Sequence, residues 1–299
     1  MKRAASKLIK TFIDRKKDVK TNWLKKNINS TMLSFGVANA INEKKPFLVS
    51  RLGWFEGYSL GFVQNHGKLS HELREKLWNT PGIFPPTDSE HKIFCSEYTS
   101  SMQLIDVLGL MEFPYESSVI QAYAPRALLC DLKDLEPYYH SNPWSQHLKG
   151  LNVLVIHPFV DSIRMQYDIN REKIFVDRNV LPEFNLITFK PPQTLCGNTD
   201  GYQSWKDALD NTKKRILEMN YDVAIVGCGA YGLPLGGFIK QQGKVCIHLG
   251  GATQTLFGIA GGRWINNTPM SLYINAYWTR PYDKERPQKW EEAENGCYW

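Results

Sequence analysis

Two places in the 299-residue chain put side chains capable of chemistry at the end of a short apolar run. The first is Arg51-Leu-Gly53-Trp-Phe-Glu56, directly after Phe47-Leu-Val-Ser50. A guanidinium and a carboxyl in a strand-to-helix turn suit contact with a charged substrate or general-base work; alternatively they close the loop as an ion pair. The second is Gly227, Gly229 and Gly232, spaced G-x-G-x-x-G after the β-branched run at 222–227 and before a helical pattern reaching Lys240. Glycines there let main-chain N–H groups approach a phosphate at a helix N-terminus, or serve only tight turns and helix–sheet packing. A nicotinamide site further needs Asp or Glu about 20 residues on, at the end of the next strand. His248 stands there, so no NAD is expected.

Lesser candidates are Arg126, in an Ala-Pro-Arg loop suited to clamping an anion, and His157, which ends another apolar run and reads more as a core histidine than a catalyst. Cys228 sits between glycines at a helix N-terminus, where its readier role is to fill space beneath the turn. The chain has no G-x-S-x-G elbow, Walker loop, H-E-x-x-H or Cys/His cluster with metal spacing. Its six cysteines lack any C-x-x-C pair, as expected of reduced thiols in a cytosolic protein.

These residues need a scaffold. Runs at 47–50, 152–157, 184–189, 222–227 and 244–249 read as buried strands. Between them, helical patterns occupy 31–42, 58–64, 68–79, 202–219 and 233–240, and 91–110 is mostly apolar at helical spacing. From 151 to 260 the alternation is βαβαβαβα, which predicts a doubly wound parallel sheet. The fold class expected is α/β with two Rossmann-like lobes. A basic extension spans 1–30, an N-terminal lobe 31–150, a nucleotide-binding lobe 151–270 and a tail 271–299. Residues 273–278 fit a last strand or a helix.

Hydrophobic content of 42% and charged content of 22% are ordinary for a globular protein. The net charge of +6 is concentrated: residues 1–26 hold ten Lys or Arg against Asp14 and Asp18, a net +8 that leaves the rest at −2. With Leu8, Ile9, Phe12 and Ile13 on one face, this stretch reads as a solvated helical extension or as peripheral contact with an anionic membrane. Aromatic and basic residues do not alternate elsewhere, so nucleic acid is not an expected partner. No apolar run spans a bilayer and the N-terminal stretch lacks the apolar core of a secretory signal, so the cytoplasm or the inner face of the membrane is expected.

Two stretches resemble known families. Phe47 to Glu56 is similar to the segment of GT-D-type glycosyltransferases in which a strand ends in Arg-Phe-Gly-Asp-x-Glu; Arg51, Gly53 and Glu56 match, and Trp54 stands at the Asp position. The run from Val223 through His248-Leu-Gly-Gly-Ala-Thr-Gln to Gly262-Arg-Trp264, with the ending Gly-Cys-Tyr-Trp299, resembles a largely uncharacterised family found alongside bacterial surface-polysaccharide genes. The resemblance implies a glycosyltransferase moving a sugar from a nucleotide-sugar donor to a surface-polysaccharide or lipid-linked glycan acceptor. It implies Glu56 and Arg51 as catalytic residues. Gly53, Arg126, Gly227, Gly229, Ala230, Tyr231, His248, Gly250, Gly251, Gln254 and Arg263 would bind the donor. A divalent cation, Mn²⁺ or Mg²⁺, accompanies the family's motif; with Trp54 in place of Asp, Glu56 alone remains to hold it. The alternatives are another nucleotide-dependent enzyme, such as a sugar-nucleotide oxidoreductase, or a non-catalytic nucleotide- or glycan-binding partner.

Overall fold

A computed structural model describes residues 24–266 and 268–299. Most of the basic N-terminal stretch lies outside these residues. Seven parallel strands form one sheet: β1 (Phe47–Arg51), β2 (Val107–Leu110), β3 (Leu128–Asp131), β4 (Asn152–Ile156), β5 (Asn185–Phe189), β6 (Val223–Val226) and β7 (Val245–His248), in the order β3-β2-β1-β7-β6-β4-β5. The two halves of the chain meet where β1 pairs with β7, Phe47 opposite Val245.

The strands are apolar on both faces because both faces are covered. Along β4, Val153 and Val155 enter one core while Leu154 and Ile156 enter the other; β6 and β7 alternate in the same way. On one face lie helices α2 (Trp54–His66), α4 (Asp88–Met102), α8 (Trp205–Leu217) and α9 (Gly232–Gln241). On the other lie α1 (Ser30–Asn42), α6 (Val160–Met165) and α10 (Ala252–Leu256), covered by the C-terminal segment. The remaining α-helices among the described residues are α3 (His71–Asn79), α5 (Glu116–Tyr123), α7 (Arg171–Ile174), α11 (Gly262–Ile265) and α12 (Thr268–Ser271). Short polar side chains start three of the helices: Ser70, Thr87 and Ser204 accept main-chain N–H bonds at α3, α4 and α8.

The 91–110 stretch is not one helix. The chain leaves α4 after Met102, turns at Leu104 to Asp106 and enters β2. Asp106 accepts the Leu48 N–H at 2.7 Å and Lys240 Nζ at 2.6 Å, pinning the turn to the amino end of β1. Apolar residues at Ile105 and Leu108 continue the helical period by coincidence, since both fall in the buried core. Residues 273–278 form neither strand nor helix; their neighbour Thr279 makes an isolated bridge to Ile259. No helix among the described residues is long and apolar enough to cross a membrane.

Turns at the carboxyl ends of neighbouring strands part to opposite faces. Those after β1 and β6 lead to α2 and α9 on one face, and those after β7 and β4 lead to α10 and α6 on the other. Such a divergence opens a crevice above the strand ends. The C-terminal segment closes its side. Glu285, 3% exposed, accepts N–H bonds from Asp161 at 2.8 Å and Ser162 at 3.3 Å, and the Ser162 hydroxyl, so a tail carboxylate caps the start of α6. Glu285→Ala should cost about 2–3 kcal/mol by removing charge-assisted bonds from buried donors. Urea unfolding measures this, and a loss below about 0.5 kcal/mol would show that the tail is held by other contacts.

Candidate active site

A cavity of about 490 Å³ opens in this crevice. Its floor comprises the turns after β1, β7, β6 and β4, contributing Arg51, Gly250, Gly227 and His157. The tail, through Glu294, Tyr298 and Trp299, forms a wall.

Arg51 ends β1 and leans across to the next turn: a Cβ built on Gly250 would lie 3.4 Å from its Cδ. Gly250 has φ +61°, a conformation glycine adopts without strain. The guanidinium donates from Nε to the Leu52 carbonyl at 3.2 Å and forms no ion pair within 4.0 Å among the described residues. The Arg–Glu loop closure that the sequence left open is therefore absent.

Glu56 sits at the third position of α2, 8% exposed, its carboxyl folded back against Gly53 so closely that a Cβ there would overlap it. Burial pushes this carboxyl above the usual range, opposed by a bond from its own main-chain N–H and by the nearby Arg51 charge. A second cavity-lining carboxyl, Glu136, is also raised by burial, with the Tyr138 hydroxyl donating to it. Glu116, buried behind Met111, is pushed up to about 7 by burial and accepts the N–H groups of Met111 and Glu112 at 2.8 Å each. The Arg51 charge acts on all three. Sequence reasoning missed Glu136 because it lies in an irregular loop whose only visible signal was aromatic residues.

The two cavity histidines, His248 and His157, are held neutral by burial. Burial holds His248 down to about 3, assisted by Arg51; its Nδ1 lies 2.9 Å from Ser50 Oγ, and its Nε2 presses on Gly232 at the start of α9. Burial likewise holds His157 at about 3. Neither is a cation that could meet a phosphate at neutral pH.

Each glycine of the G-x-G-x-x-G run is claimed by protein. A Cβ on Gly227 would overlap the Gly250 carbonyl, one on Gly229 (φ +56°) would lie 2.8 Å from the Pro81 carbonyl, and one on Gly232 would overlap His248. Ala230, fully buried, donates its N–H to Pro81 at 3.0 Å. Tyr231 lines the cavity but is 1% exposed, its hydroxyl 2.7 Å from Thr194 Oγ1 and its ring stacked on Trp205. Gln254 is buried and ties down the tail by donating to the Tyr298 carbonyl at 3.1 Å. Ala230 is packed beneath the turn, whereas Tyr231 and Gln254 line the cavity while tied to the surrounding protein. Burial pushes the Cys228 thiol far up, in keeping with a packing role.

Two arginines need correction. Arg126 is exposed and precedes β3, so it lies at the amino end of the sheet, away from the cavity. Arg263 lines the cavity with Gly251, but its charge is already met: it pairs with Glu294 at 2.7 Å, donates to the Tyr298 hydroxyl at 3.0 Å and lies over the Tyr298 ring at 4.4 Å.

The described side chains alone do not assemble a divalent-cation site. Trp54 stands where the motif's Asp would be and lies flat on Tyr58, ring centroids 5.4 Å apart and planes within 9°. Glu56 faces the helix start, and among the described residues no group of three or more His, Cys, Asp or Glu is placed to hold a metal. A calcium-type site takes six or more oxygens, whereas a magnesium-type site uses one or two carboxylates with substrate phosphates and water supplying the rest.

No family model matches the chain, and no curated protein does. It is similar to two solved structures: a selenomethionine-substituted domain of unknown function 1792, and that highly conserved domain described as having a distinct glycosyltransferase fold. Each is 11% identical and aligns over 84% of this chain and 96% of its own, with TM-scores of 0.37 and 0.38. A likeness at that level leaves the site to be read from its own residues.

The packed glycine turns carry a consequence. Gly227→Ala should cost about 1–3 kcal/mol by forcing the β6 and β7 turns apart. An unchanged thermal midpoint would mean that the two turns separate freely.

Proposed function

We propose that the protein is a glycosyltransferase that moves a sugar from a nucleotide-sugar donor to a hydroxyl of a surface-polysaccharide or lipid-linked glycan, at the cytoplasmic face of the membrane. One observation carries the reading: an Arg51 with no ion pair among the described residues and a buried Glu56 share one turn beside the Gly250 turn, in a cavity of about 490 Å³. In the reaction, Glu56 takes the proton of the acceptor hydroxyl as its oxygen bonds to the anomeric carbon. The bond from that carbon to the phosphate oxygen breaks, and its electron pair leaves with the nucleoside diphosphate. Arg51 faces the charge that develops there, as such departures require.

Glu56→Gln should lower transfer by about 10²–10⁴-fold while nucleotide binding stays close to wild type. Because the folded protein holds the Glu56 proton more tightly, the ionised base appears only as pH rises through a raised pKa. Transfer should therefore climb with pH above the roughly 4.3 of an ordinary Glu, an acid limb that the Gln variant lacks. Near-normal turnover in that variant sinks the assignment.

The donor set leads us to read the chemistry as independent of divalent metal, with Arg51 supplying the positive charge. Transfer should survive excess EDTA; activity lost to the chelator and restored by Mn²⁺ contradicts this. Trp54 in the Asp position also favours a second reading, a non-catalytic nucleotide- or glycan-binding partner. That reading predicts donor binding with neither hydrolysis nor transfer.

A further inference from the structure

His157 ends β4, and the proposed chemistry leaves it without a role. Its ring is 3% exposed and lines the cavity. The Phe159 N–H donates to its Nδ1 at 3.0 Å, within the same turn. That bond fixes the tautomer: a neutral ring that accepts at Nδ1 carries its proton on Nε2. Nε2 has no partner among the described residues, so a buried imidazole offers one N–H donor to the cavity.

Its place in the sheet narrows what that donor meets. From β1 to β4 the order runs β1-β7-β6-β4, three strand spacings, or about 14 Å. Glu56 and Arg51 stand at one end and His157 at the other. A sugar beside Glu56 with phosphates over Arg51 and Gly250 does not reach β4; the nucleoside beyond them does. The surroundings suit a base or ribose rather than a charge. Phe159 packs edge-on against both His157, centroids 4.8 Å apart, and Trp299, 6.0 Å apart. Burial keeps the imidazole neutral, so it adds a directed hydrogen bond and no attraction for phosphate.

We propose that His157 reads the nucleoside of the donor, its Nε2–H donating to a ribose hydroxyl or base carbonyl of a nucleoside diphosphate whose phosphates lie toward Arg51. The inference rests on the nucleotide-sugar reading and goes beyond it by assigning the nucleoside end and a residue that contacts it.

Calorimetric titration of UDP, CDP, GDP, ADP and dTDP into the full chain identifies the tightest binder, and inorganic pyrophosphate serves as the phosphate-only probe. His157→Phe should weaken the chosen diphosphate about tenfold, equivalent to about 1.4 kcal/mol, and leave pyrophosphate unchanged. His157→Gln, which keeps an N–H at similar reach, should recover most of the loss. Equal diphosphate affinity in the Phe variant overturns the inference, and so does a parallel loss for pyrophosphate, which would make His157 a phosphate contact. Should the Phe variant fail to fold, the wild type still decides. In ¹⁵N-histidine-labelled protein, assigned through His157→Gln, the His157 Nε2–H resonance should shift with the diphosphate and stay fixed with pyrophosphate. A resonance indifferent to both overturns the proposal. Wild type that binds no nucleoside diphosphate and no nucleotide sugar removes the glycosyltransferase reading itself, a result distinct from either failure above.

Discussion

The site depends on one guanidinium held near carboxyls without pairing to any of them. Arg51 acts electrostatically on Glu56, Glu116 and Glu136, yet none comes within ion-pair distance. Each carboxyl is secured elsewhere: Glu56 on its own helix start, Glu116 on two main-chain N–H groups, Glu136 on Tyr138. Charges a few ångströms apart in a partly buried site interact strongly even without contact, because the effective dielectric there is well below that of water. The result is a cation stabilised by a diffuse field and still open to an anion. It exists because β1, the β2–α5 loop and the 132–139 segment all deliver their acids to the same end of the sheet.

The scaffold was largely legible in the sequence, and for a physical reason. Parallel strands covered on both faces must be apolar throughout, so β1, β4, β5, β6 and β7 stand out as short uniform runs. β2 and β3 do not: β2 follows α4 so closely that its Leu108 prolongs the helical period, and β3 is exposed at both ends, Leu128 and Asp131. Arg126 was misplaced for the same reason. Without β3, nothing in the local sequence tells which end of the sheet its loop occupies.

Within the site, the β1 turn was readable because both its functional groups are local in sequence. The glycine run was readable only as a scaffold feature. Its spacing reports where other groups must approach closely, here the Gly250 and Pro81 carbonyls and the His248 ring. Glu136, Trp299 and the unsatisfied corner of His157 could not be found this way. Each joins the cavity through contacts between residues far apart in the chain, as with Trp299 against Phe159.

Arg263 shows why proximity to the cavity is not enough to bind an anion. Glu294 and Tyr298 already stabilise its charge, and the tail packs so tightly on α11 that a Cβ on Gly261 would overlap the Tyr298 main chain. A phosphate seeking this guanidinium must displace a charge-assisted bond that is itself worth something like 1.5–3 kcal/mol, with no comparable cost at Arg51. The difference in prior occupancy therefore orders the two arginines. Arg263 is tied into the wall of the cavity, while Arg51 keeps a guanidinium without an ion pair among the described residues.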